Sequence, residues 1–258
     1  MLLRELKIVA AALLYFTRLP IPFKILYNKE HQNLILTWLP LVGIVIGCLG
    51  ALLFYCAFLL FPQNIAIVLA VACMVLLTGA FHEDGFADVC DAFGGGYTRE
   101  QRLIIMKDSR VGSYAAIGLI LLFAGKLSIL TELNPRIIGA VLIASQAISR
   151  WPLLLVTRIW KYARSENNSK SIDASKPISV FRILLAFLTT VIPFFFFQSW
   201  MIFWAIPILI VFTLVAGLWF SKRIGGYTGD CLGAIQQINE FVFLLFCLGL
   251  FHSGNLNI

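Results

Sequence analysis

Charge is scarce in this chain. Lysine, arginine, aspartate and glutamate supply 13% of its 258 residues, while hydrophobic types supply 60%. That is about half the charged share of a soluble domain, and the mean hydropathy is +0.91. A water-exposed globular surface is excluded, and the 22 phenylalanines fit lipid-facing and helix-packing surfaces instead. Metal-binding cysteine patterns are missing too: the six cysteines form no CxxC or Cys/His zinc spacing and suggest no disulfide framework. Cys48, Cys56, Cys73 and Cys247 lie inside apolar runs, where a thiol acts as a small hydrophobe. Cys90 and Cys231 stand beside acidic motifs, which leaves a redox or ligand role open. No GK[ST] follows Gly94-Gly95-Gly96, so there is no P-loop. The N-terminal segment has no small-residue cleavage site, which separates it from a signal peptide. No internal repeat, low-complexity tract or soluble second domain interrupts 1–258, and the chain reads as one integral membrane domain.

What is present is a series of apolar runs, at 34–61, 65–80, 114–130, 137–156, 181–197, 200–220 and 232–251. The expected fold is all-α: a polytopic membrane bundle of about seven transmembrane helices. The apolar core of the first segment, 8–16, is too short to span, so 2–22 is expected to be an interfacial or partly inserted helix. The net charge of +7 does not argue for nucleic acid, because basic loops orient membrane helices. With the N-terminus inside and seven crossings, seventeen of the twenty Lys and Arg fall in inside segments. Arg136 lies in an outside loop, and Lys126 and Arg150 lie within spans. Lys126 is expected to snorkel or pair with an acid, and Arg150 to face an acidic cavity. This asymmetry places the polar motifs on the cytoplasmic side, with lipid around the spans.

The longest polar stretch, 81–113, follows the second run and holds Glu83, Asp84, Asp88, Asp91 and Asp108. On a helix, Asp84, Asp88 and Asp91 stand at i, i+4 and i+7 and share one face. Three like charges so close need a cation, either Lys and Arg or a divalent metal. Hard oxygen ligands suit Mg²⁺ or Mn²⁺, and Mg²⁺ is often held by one or two carboxylates plus phosphate oxygens. The plainer alternative pairs these acids with Arg99, Arg102 and Arg110 in a solvated loop. His82 reads either as a base or ligand, or as an interfacial hydrogen-bonder. Next comes Met106-Lys107-Asp108-Ser109-Arg110-Val111-Gly112, where Lys107 and Arg110 are spaced to face one anion. The third constellation is Gly225-Gly226-Tyr227-Thr228-Gly229-Asp230-Cys231-Leu232-Gly233-Ala234, with Glu240 inside the last run. Its glycines suit close backbone approach, and Asp230 is a further candidate metal ligand.

These residues together resemble the cobalamin synthase family, the adenosylcobinamide-GDP ribazoletransferases. The likeness rests on FHEDGFADVCDAF, IMKDSRVGSY, GGYTGDCLGA with Glu240, and the N-terminal FTRLPIP, in the family's order over nearly the whole chain. Lys161-Tyr162-Ala163-Arg164 also fits. Glu83 departs from the pattern, standing where many relatives are expected to carry an apolar residue. The resemblance implies transfer of cobinamide phosphate from adenosylcobinamide-GDP to α-ribazole or α-ribazole 5′-phosphate, with release of GMP and a requirement for Mg²⁺. It implies that Asp84, Asp88, Asp91 and Asp230 hold metal, and that Lys107 and Arg110, with Arg150, grip phosphate. The hydroxyl proton would pass to Asp108, Asp84 or Asp88, or to His82. A homo-oligomer is compatible with the sequence.

Two rival classes make different expectations. A CDP-alcohol phosphotransferase needs Ala-Arg after DGxx, where this chain has Phe86-Ala87-Asp88. A secondary transporter would spread its acids through several spans with inverted repeats, whereas here they cluster.

Overall fold

The computed structural model describes residues 2–20, 32–164 and 178–256. The tracts 21–31 and 165–177, with Lys24, Lys29, Lys170 and Lys176 of the charge tally, lie outside the described residues, as does the end of the FTRLPIP motif. Among the described residues the secondary structure is helical, apart from one isolated bridge between Tyr162 and Tyr227. The helices are α1 (Leu2–Phe16), α2 (Gln32–Ile35), α3 (Leu39–Phe58), α4 (Gln63–Thr78), α5 (Phe81–Gly95), α6 (Arg99–Ile105), α7 (Ser113–Glu132), α8 (Pro135–Ile148), α9 (Leu153–Ile159), α10 (Val180–Val191), α11 (Ala205–Ile224) and α12 (Gly229–His252).

Helix starts follow local chemistry. The Asn134 side chain accepts from Arg136 N with Pro135 in the first turn of α8, and Ser179 and Thr228 cap α10 and α12 in the same way. Thr98 and Gln101 form a reciprocal capping box at α6.

Five helical stretches are long and apolar enough to cross a membrane: Leu36–Phe58, Ser113–Glu132, Pro135–Ile159, Trp200–Ile224 and Gly229–His252. The other two apolar runs are also helical but shorter. α4 has 16 residues, about 24 Å of helix against about 30 Å of hydrocarbon. It qualifies only together with α5, from which it is bent by 87°. The remaining run is Val180–Phe196, which tightens to a 3₁₀-helix at Ile192. The chain is a polytopic helical membrane protein.

The bundle is built around α8, which is buried almost throughout. Gly43 and Gly47 let α3 lie directly on it: a Cβ at Gly43 would stand 2.1 Å from the Gln146 carbonyl oxygen, and one at Gly47 2.6 Å from Ile143 Cα. Small residues at such a crossing trade side-chain volume for backbone contact, the usual means of helix association in lipid.

The bend between α4 and α5 positions the polar face. Gly79 and Ala80 both take left-handed backbone angles, φ +66° and +58°. The Arg18 side chain packs against Gly79, and its backbone N–H donates to Leu77 O at 2.7 Å. α5 then runs between α7 and α12, opposite in direction to both. Its start lies beside Gly233 and Gln237, and its end beside Gly112, Tyr114 and Ala115. The N-termini of α7 and α12 therefore open toward the acidic face of α5, bringing two positive dipole ends to it.

Candidate active site

α5 carries the acids on the face expected from their spacing. Asp84 is exposed, while Asp88 and Asp91 are half-buried. Gly85 and Gly233 allow α5 and α12 to touch, for a Cβ on Gly85 would stand 2.9 Å from the Asp230 carbonyl oxygen. That contact brings Asp230 into the group. Asp88 lies within electrostatic reach of Asp230, Asp84 and Asp91, and Asp230 within reach of Asp84.

The four carboxylates differ in what holds them. Asp91 accepts from Gly112 N at 2.6 Å and from Ala115 N at 2.9 Å, capping the start of α7. Asp230 accepts from Thr228 Oγ1 at 3.2 Å and from Arg164 Nη2 at 2.7 Å. Among the described residues neither Asp84 nor Asp88 has a side-chain hydrogen bond or ion pair. Arg99, Arg102 and Arg110 do not neutralise them. Arg99 binds the carbonyls of Ile224 and Ala163 and pairs with Glu100, while Arg102 reaches Arg223 O and lies over the Phe93 ring. Arg110 is paired with Asp108.

Three segments distant in sequence are stitched together here. Ala163 N donates to Tyr227 O at 2.8 Å and Tyr227 N to Lys161 O at 3.0 Å. Gly226 makes this possible: its φ is +158°, and a Cβ would stand 2.1 Å from Lys161 O. Met106 is buried under Thr228, its sulfur 3.7 Å from the Thr228 hydroxyl oxygen, and Met106 O accepts from Arg164 at 3.4 Å. Lys107 follows directly and is exposed at the edge of the group.

Asp108 and Arg110 form an exposed forked pair, with Arg110 Nε 3.0 Å from both carboxylate oxygens. Arg110 holds the Asp108 carboxyl well below the usual range, at about 2, and its own guanidinium is raised in return. This is the Lys107–Arg110 spacing read from the sequence, but Arg110 already has an anion of its own.

His82 and Arg150 go to a deeper group. His82 is 3% exposed and stacks on Phe16, its Nδ1 lacking a partner among the described residues. Arg150 is 1% exposed and donates to the backbone and side-chain oxygens of Gln146, both at 2.7 Å. Its charge faces Glu240 and Glu83. Lys126 pairs with Glu240 at 3.1 Å and donates to Gln237 at 2.6 Å. Gln237 donates to Glu83 and Gln236, and Gln236 to Glu240 and Ser149, at 2.8 to 3.0 Å. The acid on Lys126 expected from the sequence is therefore Glu240. Of the residues singled out in advance, the structure gathers Asp84, Asp88, Asp91 and Asp230, sets Lys107 and the Asp108–Arg110 pair on the segment beside them, and turns His82 and Arg150 inward.

Sequence reasoning passed over Arg164, the cation on Asp230, although Lys161-Tyr162-Ala163-Arg164 carried part of the family likeness. It also passed over Gln236 and Gln237, two amides one turn before an intramembrane acid, a spacing that signals a buried polar network.

Among the described residues no three His, Cys, Asp or Glu side chains converge as a preformed metal cage. The donor set nevertheless fits Mg²⁺, which keeps several waters and takes one or two carboxylates together with substrate phosphate. Four clustered carboxylates, two of them without a protein partner among the described residues, provide that chemistry.

Comparison with known proteins gives a consistent result. A sequence model of the family described as cobalamin-5-phosphate synthase matches residues 8–248. A Shewanella frigidimarina protein named adenosylcobinamide-GDP ribazoletransferase is 39% identical, covering 96% of this chain and 96% of its own length. Proteins of the same name from Shewanella amazonensis and Vibrio parahaemolyticus are 38% and 36% identical, covering 97% and 96% of this chain and 98% and 94% of their own lengths. No solved structure matches the chain.

Proposed function

The chain belongs to the cobalamin-5-phosphate synthase family, an enzyme family of cobalamin biosynthesis, and on that premise we propose that it is an adenosylcobinamide-GDP ribazoletransferase working with Mg²⁺ at the face formed by α5, α7 and α12. The observation that carries the reading is the meeting of Asp84, Asp88 and Asp91 with Asp230 beside Lys107 and Arg164. This is the surrounding that a substituted diphosphate requires.

In the proposed reaction, the α-ribazole hydroxyl oxygen forms a bond to the phosphorus that bears cobinamide. The bond from that phosphorus to the oxygen bridging to GMP breaks, and GMP leaves with the electron pair. α-Ribazole 5′-phosphate as acceptor gives the 5′-phosphate of the same product. Asp84, Asp88, Asp91 and Asp230 would hold Mg²⁺, which when bound would supply charge neutralisation of the diphosphate. Lys107 contributes a mobile point charge to a phosphate oxygen, and the N-terminus of α7 adds a dipole. Orientation and charge stabilisation do most of the work in such transfers.

The proton of the attacking hydroxyl passes to an aspartate of the group. Asp108 is a poor acceptor because Arg110 holds it at about 2, far from the neutral value a base needs. His82 is stacked in the interior. Asp84 and Asp88, with no side-chain partner among the described residues, are the acceptors that remain.

The location proposed is the bacterial inner membrane, with this face in the cytoplasm. The three polar segments, which carry most of the described Lys and Arg, close together at one end of the bundle. The test is GMP release by purified protein supplied with adenosylcobinamide-GDP and α-ribazole 5′-phosphate. Release that needs both substrates and Mg²⁺ is expected; no release from folded protein refutes the assignment.

A further inference from the structure

Arg164 holds an unusual post. It follows the Tyr162–Tyr227 bridge that pins its segment against the start of α12. Its Nη2 lies 2.7 Å from Asp230 Oδ2, and its charge also reaches Asp88. It is the cation acting most strongly on both carboxylates among the described residues. Yet a guanidinium has five donors in a rigid fork; among the described residues Arg164 makes, beyond Asp230, only a 3.4 Å contact to Met106 O, and its Nε is buried without a partner there. Arg102 and Arg150 also leave a buried Nε without a partner among the described residues, and what sets Arg164 apart is that its fork sits directly on a carboxylate of the acidic group.

The Asp230 oxygen that Arg164 covers already accepts from Thr228. A divalent ion drawing on Asp230 meets the guanidinium as a competitor, because both seek the same carboxylate charge. A diphosphate arriving with that ion brings the planar oxygen pair that a guanidinium fork matches.

We infer that Arg164 is an exchangeable counter-ion: it neutralises Asp230 in the free enzyme, and on binding it yields that carboxylate to the metal and moves its fork to a phosphate oxygen of the substrate. This deepens the reading given above and rests on it. The consequence is coupling. Metal alone binds weakly because it must displace Arg164, and diphosphate strengthens metal binding by giving Arg164 a new partner. Coupling of this kind is reciprocal, so metal strengthens diphosphate binding by the same factor. The device also discourages occupation of the site by metal without substrate.

The test uses the full chain in detergent, with Mn²⁺ as probe, the free-ion resonance as readout, and GDP as the diphosphate. For the wild type, GDP is expected to tighten Mn²⁺ binding about tenfold, the middle of the range for such couplings. Arg164→Gln is expected to bind Mn²⁺ about tenfold more tightly without GDP and to show no further gain with it. A folded Arg164→Gln protein whose Mn²⁺ affinity is unchanged or weaker, or whose response to GDP is intact, overturns the inference. A second measurement needs no variant: arginine modification by phenylglyoxal, read at Arg164 by peptide mass. Mn²⁺ alone should raise labelling of Arg164, and Mn²⁺ with GDP should suppress it; labelling indifferent to Mn²⁺ refutes the exchange. Asp88→Asn separates the two levels of the argument. Wild-type Mn²⁺ binding that is lost in Asp88→Asn but unaltered in Arg164→Gln sinks the inference about Arg164 alone. GMP release without any Mn²⁺ or Mg²⁺ binding sinks the metal reading and this inference with it.

Discussion

Glu83 and Asp84 are neighbours in sequence, but they belong to two different carboxylate groups. Glu83 turns into the bundle, where Gln237 donates to it and the charges of Lys126, Arg150 and Glu240 lie close. Asp84 turns out to the polar face and joins Asp88, Asp91 and Asp230. The inner group is cross-bonded: Lys126 meets Glu240 and Gln237, and Gln236 ties Glu240 to Ser149. The outer group is crowded with like charge, and two of its four members, Asp84 and Asp88, have no side-chain partner among the described residues. Burial makes unpaired charge costly, so the inner acids draw on the protein's own donors, although Glu83 Oε2 has no partner among the described residues. The outer acids reach water and are left to be satisfied by something that binds. On the proposed function, one helix serves both fold and chemistry by the direction its side chains face.

The largest effect expected from this contrast is on turnover. Asp84→Asn or Asp88→Asn should lower GMP release by about a thousandfold or more, the scale of losing a main electrostatic contributor. Thermal unfolding in detergent should show the protein as stable as the wild type or more so, because repulsion is removed. A variant lost by unfolding instead would show that the outer acids are structural.

The inner group should behave in the opposite way. Lys126→Met alone leaves Glu240 buried beside a lost partner, a change that typically costs about 3–5 kcal/mol. The double substitution Lys126→Met with Glu240→Met should recover most of that loss, since apolar replacement of a whole buried pair is often near neutral. Chemical or thermal unfolding of the three proteins checks it. A double variant less stable than the single one would contradict the comparison.

Asp91 stands between the two groups, since it belongs to the outer face yet caps α7 through Gly112 and Ala115. Asp91→Ala should therefore cost about 1 kcal/mol of stability as a lost cap, together with a fall in turnover. Asp91→Asn keeps one of the two accepting oxygens that Asp91 uses and sets an amide donor against the other N–H, so it should restore only part of the stability and none of the turnover.

The smallest effect concerns pH. Asp108 has its folded value depressed to about 2 by Arg110, so what the pair contributes is present above the unfolded value of about 3.9 and is lost as pH falls through about 2. The pair is exposed, and that contribution is small. The pH–rate profile between about 5 and 9 should accordingly show no inflection from it. Asp108→Asn should leave the shape of the profile unchanged, and a moved inflection would mean that Asp108 takes part in proton transfer.

Much of this was readable from the residues in order. The apolar runs, the helix under the Asp84, Asp88 and Asp91 spacing, and the clustering of acids that separates this chain from a transporter all follow from periodicity and hydropathy. The 87° bend does not, because it depends on two consecutive left-handed residues, one of them Ala80, and on Arg18 packing from another segment. Nor do the inward aims of His82 and Arg150, since spacing tells which residues share a face but not which neighbour that face meets. Arg164 and Asp230 are 66 residues apart, and the Gly226 turn against Lys161, with Arg99 bridging the Ala163 and Ile224 carbonyls, brings them together.

The most direct measurement sets one variant of each group side by side, following GMP release with Mg²⁺ and unfolding on the same preparations. Asp88→Asn is predicted to be folded and inactive, and the Lys126→Met, Glu240→Met double variant folded and active within about tenfold of the wild type, a loss of about 1.4 kcal/mol. An active Asp88→Asn protein would contradict the division of labour between the two carboxylate groups.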